Sequence, residues 1–185
     1  MRPRVSGIQV ADAPAAWAAL GFEVEHATVW IDGVAIRLGG EGRGITGWTL
    51  GPWPDPAPQP AGVHPNGVEA IDHIVLVTGG WDATVEALAA EGIELSREAR
   101  RGDLRQGFVR LGAVVLEVVH REDHEGPAGF WGLTFVADLD SLGAQLGDRL
   151  GTVRDAVQPD RRIATLSSAA GLSHAIAFMT PEPGI

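Results

Sequence analysis

The stretch Ala70-Ile71-Asp72-His73-Ile74-Val75-Leu76-Val77 reads as a strand, and an Ala/Leu-rich segment from Trp81 to Ala90 follows it and stops at Gly92. Within that segment Val85, Leu88 and Ala89 fall at helical spacing. Three more β-rich runs come next: Ile93 to Arg100, Gln106 to Leu111 and Ala113 to His120, the last two joined tightly at Gly112. The order strand, helix, strand, strand, strand defines one βαβββ module.

The same order recurs on both sides of this stretch, as a weak internal repeat. Downstream, Trp131 to Ala137 predicts a strand and Asp138 to Leu150 a helix with Asp138 as its N-cap. Thr152 to Val157, Arg161 to Ser167 and His174 to Thr180 complete that copy as strands. Upstream, Val5 to Val10 predicts a strand and Asp12 to Leu20 a short helix, with Asp12 as N-cap, Pro14 in the first turn and Gly21 as terminator. Strands are expected at Glu23 to Ile31, Val34 to Leu38 and Ile45 to Leu50, and Asp32-Gly33 is a two-residue hairpin signal because both positions tolerate positive φ. Between the first two copies Pro52, Pro54, Pro56, Pro58, Pro60 and Pro65 oppose regular pairing. The expected organisation is an N-terminal half module over 1–51, a proline-rich linker over 52–67, and a pair of modules over 68–181, divided as 68–121 and 129–181.

Composition removes several classes of function. A chain of 185 residues with 45% hydrophobic content can bury a real core. Its apolar runs, such as Ala113 to Val119, are too short to span a membrane, and the first residues carry no apolar signal-peptide core. The expectation is a cytoplasmic protein with no membrane partner. Cysteine is absent, which excludes disulfides, thiolate metal sites and a cysteine nucleophile. A net charge of -10 and the lack of a basic, aromatic platform argue against nucleic acid. Arginine in place of lysine, with abundant Ala, Gly and Pro, is a composition associated with high-GC bacterial genomes. No nucleophile elbow, phosphate-binding loop, dinucleotide fingerprint or His-Glu-x-x-His motif occurs.

With Val115-Leu116-Glu117-Val118 ending the middle copy, the stretch from Ala70 onward resembles a glyoxalase-like module of the vicinal oxygen chelate superfamily, whose first strand often carries a His and last strand a Glu. The third copy, through Gly132-Leu133-Thr134-Phe135-Val136-Ala137-Asp138 and Val157 to Leu166, resembles the second half of such proteins. The resemblance implies an α+β fold whose βαβββ modules form cupped mixed sheets around a pocket. It also implies a divalent cation (Zn, Mn, Fe or Ni) held by two ligands from each module. Strand alternation puts His73, Val75 and Val77 on one face, and likewise Val115, Glu117 and Val119, so His73 and Glu117 are the candidate metal pair. In the third copy the corresponding positions are Gly132 and Ala177, so that half of the ligand set is missing.

Glu117 is also the candidate catalytic carboxylate, because an apolar wall would tune its proton affinity. Candidate substrate-binding residues are Arg110 and Arg162, as anion clamps, Trp131, beside the empty position at Gly132, and His174, if the start of its strand re-aims it. Of Arg161 and Arg162, alternation lets only one point inward. Two functions follow: a metal-dependent lyase, isomerase or dioxygenase acting on a small molecule, or a non-catalytic protein that sequesters a small ligand in a degenerate metal site. An unpaired N-terminal module would pack on the other copies or on a second chain, giving a homodimer.

Overall fold

The structure, a computed structural model, describes residues 3–52 and 64–183; most of the expected proline-rich linker lies outside them. The first copy comprises β1 (Pro3–Val10), α1 (Pro14–Ala18), β2 (Thr28–Ile31), β3 (Val34–Arg37) and β4 (Ile45–Pro52). The second comprises β5 (Ala70–Thr78), α2 (Trp81–Ala90), β6 (Arg97–Arg101), β7 (Leu104–Leu111) and β8 (Val114–His120). The third comprises β9 (Gly129–Val136), α3 (Leu139–Leu146), β10 (Arg154–Asp155), β11 (Arg162–Thr165) and β12 (Ala175–Met179).

The second and third copies share one mixed sheet of order β10-β11-β12-β9-β5-β8-β7-β6. Each module contributes a parallel pair, β5 with β8 and β9 with β12, and the two modules join through antiparallel β5 and β9. Residues paired across this sheet put Thr134 beside His73 and Ala177 beside Thr134, while Val75 lies between Glu117 and Gly132. Paired side chains share a face. His73, Glu117, Thr134 and Ala177 therefore stand on the concave side, and Ile74, Leu116, Phe135 and Phe178 fill the convex side, where all four are buried.

The first copy keeps the βαβββ element order of the other two but arranges its strands differently. Its sheet has the order β2-β3-β1-β4, so only two strands follow α1 on one flank of β1, and β4 lies antiparallel on the opposite flank. That flank is the place β9 takes beside β5. One cause is local: the run Glu23 to Ile31 yields only Thr28–Ile31, because His26 and Ala27 take φ of 48° and 57°, which breaks the extended backbone. Asp32 and Gly33, at φ 44° and 76°, do form the hairpin turn joining Ile31 to Val34.

Two other expected strands are also shorter. Ile93 is buried and its amide bonds the Leu88 carbonyl, closing α2, so pairing begins only at Arg97. Thr152 to Val157 keeps just Arg154–Asp155. Asp138 caps α3 as expected, accepting from the Ser141 amide at 2.7 Å. Asp12 does not cap α1. The cap is Ala13, with no side-chain bond, and Asp12 instead accepts from the Ser173 amide at 2.9 Å.

The first copy packs on the convex side of the large sheet through the aromatic rings of α1 and the segment that follows it. Trp17 and Phe22 meet at 4.9 Å between centroids, and Phe22 meets Phe135 of β9 at 5.4 Å. Of the two ways sequence reading allowed the N-terminal copy to bury its face, the chain uses packing on its own other copies. Trp17, Phe135 and Phe178 are among its largest fully buried side chains.

Candidate functional site

The concave face encloses a cavity of about 350 Å³. Val75, Val77, Val119 and Ile163 give it apolar walls, and His73, Glu117 and Thr134 supply polar groups at its floor. The His73 and Glu117 side chains are 14% and 15% exposed, and His73 Nε2 stands 3.6 Å from Glu117 Oε2. The structure thus brings together the pair that strand alternation predicts.

A β-bulge decides what supports this pair. Ile71 pairs with Phe135 and His73 with Thr134, so Asp72 is an extra residue in β5 with no partner in β9. In a regular strand Asp72 and His73 would point to opposite faces. Here Asp72 Oδ2 lies 2.7 Å from His73 Nδ1, and Asp72 Oδ1 lies 2.7 Å from Arg161 Nη1. Arg161 is 4% exposed, and its Nε donates to the Thr180 carbonyl at 2.8 Å. Burial alone would raise the Asp72 carboxyl, but its bonds to His73 and Arg161 outweigh that and hold it below the ordinary aspartate value. An ionised carboxylate only accepts, so Nδ1 carries the proton and Nε2 faces the cavity. Thr134 Oγ1 is 2.9 Å from Nε2 and can donate to it. Glu117 has its own support in Gln106, whose side-chain amide donates a short hydrogen bond to Oε1.

The remaining predicted residues divide. Trp131 lines the cavity and is 55% exposed. Arg110 shares the concave face, since it pairs with Val115, but it lies at the far end of β7, is exposed, and bends back to the Ala113 carbonyl at 3.4 Å. Arg162 points to the convex side and pairs with Asp140 of α3 at 3.3 Å, leaving Arg161 as the inward arginine. His174 also faces the convex side, stacked on Trp17 at 6.0 Å and 2.9 Å from Asp12 Oδ2. Its side chain is 2% exposed, and the contact with Asp12 lacks hydrogen-bond alignment. Burial holds His174 below the ordinary histidine value, against the opposing pull of Asp12.

Sequence reading missed Asp72, Thr134 and Gln106. Thr134 and Gln106 were open to the alternation argument, being two residues from Gly132 and two from Phe108, which pairs with Glu117. Asp72 was not, because alternation assigns it to the wrong face. Two arginines reach the cavity rim, Arg121, paired with Asp123 at 2.8 Å, and exposed Arg154.

As a metal site the arrangement supplies two donors. Among the described residues no group of three or more His, Cys, Asp or Glu could hold an ion. Gly132 has no room to supply another: a Cβ there would lie 2.5 Å from the Ala175 carbonyl oxygen and 2.9 Å from its Cβ. Two protein donors can capture a divalent cation weakly and are too few for a resident one, which needs three or four.

No family model matches the chain, and no curated protein does. Solved structures do. Methylmalonyl-CoA epimerase from Mycobacterium tuberculosis superposes with a TM-score of 0.51 at 20% identity, covering 63% of this chain and 90% of that one. A variant of the Streptomyces coelicolor methylmalonyl-CoA epimerase, in complex with 2-nitronate-propionyl-CoA, superposes at 0.50 and 23% identity, covering 61% and 94%. At such identities the likeness speaks for the fold. Joined to the paired βαβββ modules and their central antiparallel strands, it shows that this chain has the glyoxalase-like fold.

Proposed function

We propose that the chain is an isomerase-type enzyme that moves a proton within a small, largely apolar carbonyl compound, with His73 and Glu117 as the proton-handling groups. The observation that carries this reading is the relay Arg161–Asp72–His73, which fixes one tautomer and aims Nε2 into the cavity. A base oriented by a third group is the usual arrangement for general acid–base work, which contributes about 10²–10⁴-fold to rate. Nε2 takes a proton from the carbon beside the carbonyl, and the Thr134 hydroxyl, turned from Nε2 to the bound molecule, donates to the oxygen as charge develops there.

Because Nε2 and Glu117 Oε2 are only 3.6 Å apart, the two groups address one face of a bound molecule. The proton therefore returns on the face from which it left, to a neighbouring atom, which moves the carbonyl or double bond along the chain.

The test is deuterium wash-in from D2O, followed by NMR, on a panel of α-hydroxy ketones and β,γ-unsaturated ketones. Methylmalonyl-CoA, named in the structural neighbours, is added as a probe. Exchange by the wild type that is lost in His73→Gln and in Glu117→Gln supports the reading; wild-type exchange no faster than that of the two variants across the panel removes it.

The second reading is non-catalytic capture of a small ligand, favoured by the missing donors at Gly132 and Ala177. It is distinguished by ligands that raise the melting temperature without exchanging a proton. We also propose a homodimer through the open sheet edges, tested by light scattering.

A further inference from the structure

Trp131 stands between two hollows. On one side is the cavity floored by His73 and Glu117; on the other is a hollow of about 550 Å³, and Trp131, Thr165 and Ala175 line both. Phe130 and Leu172 give the second hollow apolar surface, Ser168 and Ser173 contribute polar side chains, and Arg43 lies on its wall. Arg43 belongs to the N-terminal copy, in the glycine-rich turn between β3 and β4.

That turn is fixed in place. Gly44 adopts φ of 69°, a conformation glycine takes without strain, and its amide donates to Ser173 Oγ at 2.7 Å. Ser173 is held in turn by Asp12, which accepts from its amide. Among the described residues Arg43 has no ion pair or hydrogen bond of its own. In a chain of net charge -10, an unpaired guanidinium on a cavity wall is a local exception to the field of the whole protein. The half-exposed indole of Trp131 lines the same hollow and offers it a flat apolar surface.

We propose that the second hollow is a subsite for the non-reacting part of an elongated, anionic substrate. A flat apolar middle lies over Trp131 and a carboxylate, sulfonate or phosphate end meets Arg43, so the N-terminal sheet determines specificity for a reaction carried out in the other two modules. The inference rests on the proposed function only for where the reacting end lies. A guanidinium binds such anions through two parallel N–H bonds and stays charged at every working pH, so the selection is for charge and geometry together.

The test is fluorescence titration of the full chain with two dyes of similar shape, the anionic 8-anilinonaphthalene-1-sulfonate and the neutral N-phenyl-1-naphthylamine. Arg43→Gln is expected to weaken the sulfonate about 10-fold, the equivalent of one charge-assisted contact, and to leave the neutral dye unchanged. Trp131→Ala is expected to weaken both. The proposal is overturned if Arg43→Gln leaves sulfonate binding unchanged, if Arg154→Gln takes over its effect, or if Trp131→Ala leaves both dyes bound as before. Circular dichroism of each variant separates lost binding from lost folding. Deuterium exchange reads the His73 end and dye titration the Arg43 end, so either proposal can fail while the other stands.

Discussion

Asp72 Oδ2 lies 2.7 Å from His73 Nδ1, although the two residues are consecutive in one strand. The bulge that makes this possible ties the histidine to Arg161, which immediately precedes β11, three strands from β5 in the sheet order. Asp72→Asn keeps the shape but removes the carboxylate that selects the Nδ1–H tautomer. We expect it to lower the exchange rate about 10²-fold or more, with little change in ligand affinity. Arg161→Met should lower it less, because Asp72 still reaches His73. Equal losses of kcat and kcat/KM for Asp72→Asn would place the effect in the transition state.

Zinc and manganese titrations should give weak, single-site binding. With two protein donors, dissociation constants in the micromolar range or weaker are expected, and His73→Ala should abolish the heat signal. Chelator treatment should leave the melting temperature unchanged. A stoichiometric metal that survives purification and dialysis would mean that further ligands reach the site.

Gly132 should resist even the smallest side chain. The Cβ of Gly132→Ala would meet the Ala175 carbonyl at 2.5 Å, a backbone atom that cannot turn aside. A loss of about 1–3 kcal/mol, read by urea unfolding, is expected from overpacking at the β9–β12 pair. A neutral or stabilising Gly132→Ala would show that the two strands can separate there, and that this position has room for a side chain.

Stability should fall on mild acidification. His64 Nδ1 accepts from the Glu23 amide at 3.1 Å and Nε2 meets the Trp30 carbonyl at 3.0 Å, a pattern only the neutral ring can make. Burial lowers both His64 and His174 below the ordinary histidine value, against the opposing pull of the Trp30 carbonyl and of Asp12 respectively. For groups held low in the folded state, the unfolded chain takes up protons first. Their stabilising contribution is complete above the ordinary histidine value and is lost as pH falls below it towards the folded values. Thermal unfolding from about pH 8 to about pH 5 should show a flat melting temperature that drops below roughly pH 6.5, and a shallower drop in His64→Gln.

The sequence carried the repeat and the pocket pair well because both depend on short-range periodicity. Alternation in β5 and β8 was enough to put His73 and Glu117 on one face, and it also separated Arg161 from Arg162. It could not reveal Asp72, since a bulge has no signature in a single strand and arises from how β5 fits β9. Arg110 shows another boundary: its face was legible, but its distance along β7 from Glu117 became a site property only once register was set. The N-terminal copy matched in element order, yet His26 and Ala27 at positive φ, together with β4 on the far flank of β1, gave it a different sheet.

What the sequence by itself determined is local: which runs are strands and helices, where Asp32-Gly33 and Gly112 turn the chain, and that His73 of β5 and Glu117 of β8 share a face. These follow from backbone sterics and side-chain period over a few residues. Only the tertiary structure decided that Asp72 and Arg161 hold the histidine, that His174 lies buried beneath Trp17, and that Arg43 of the first copy reaches a hollow beside Trp131. Each of those depends on residues brought together by sheet register and by packing between copies, and neither is fixed until the whole sheet has formed.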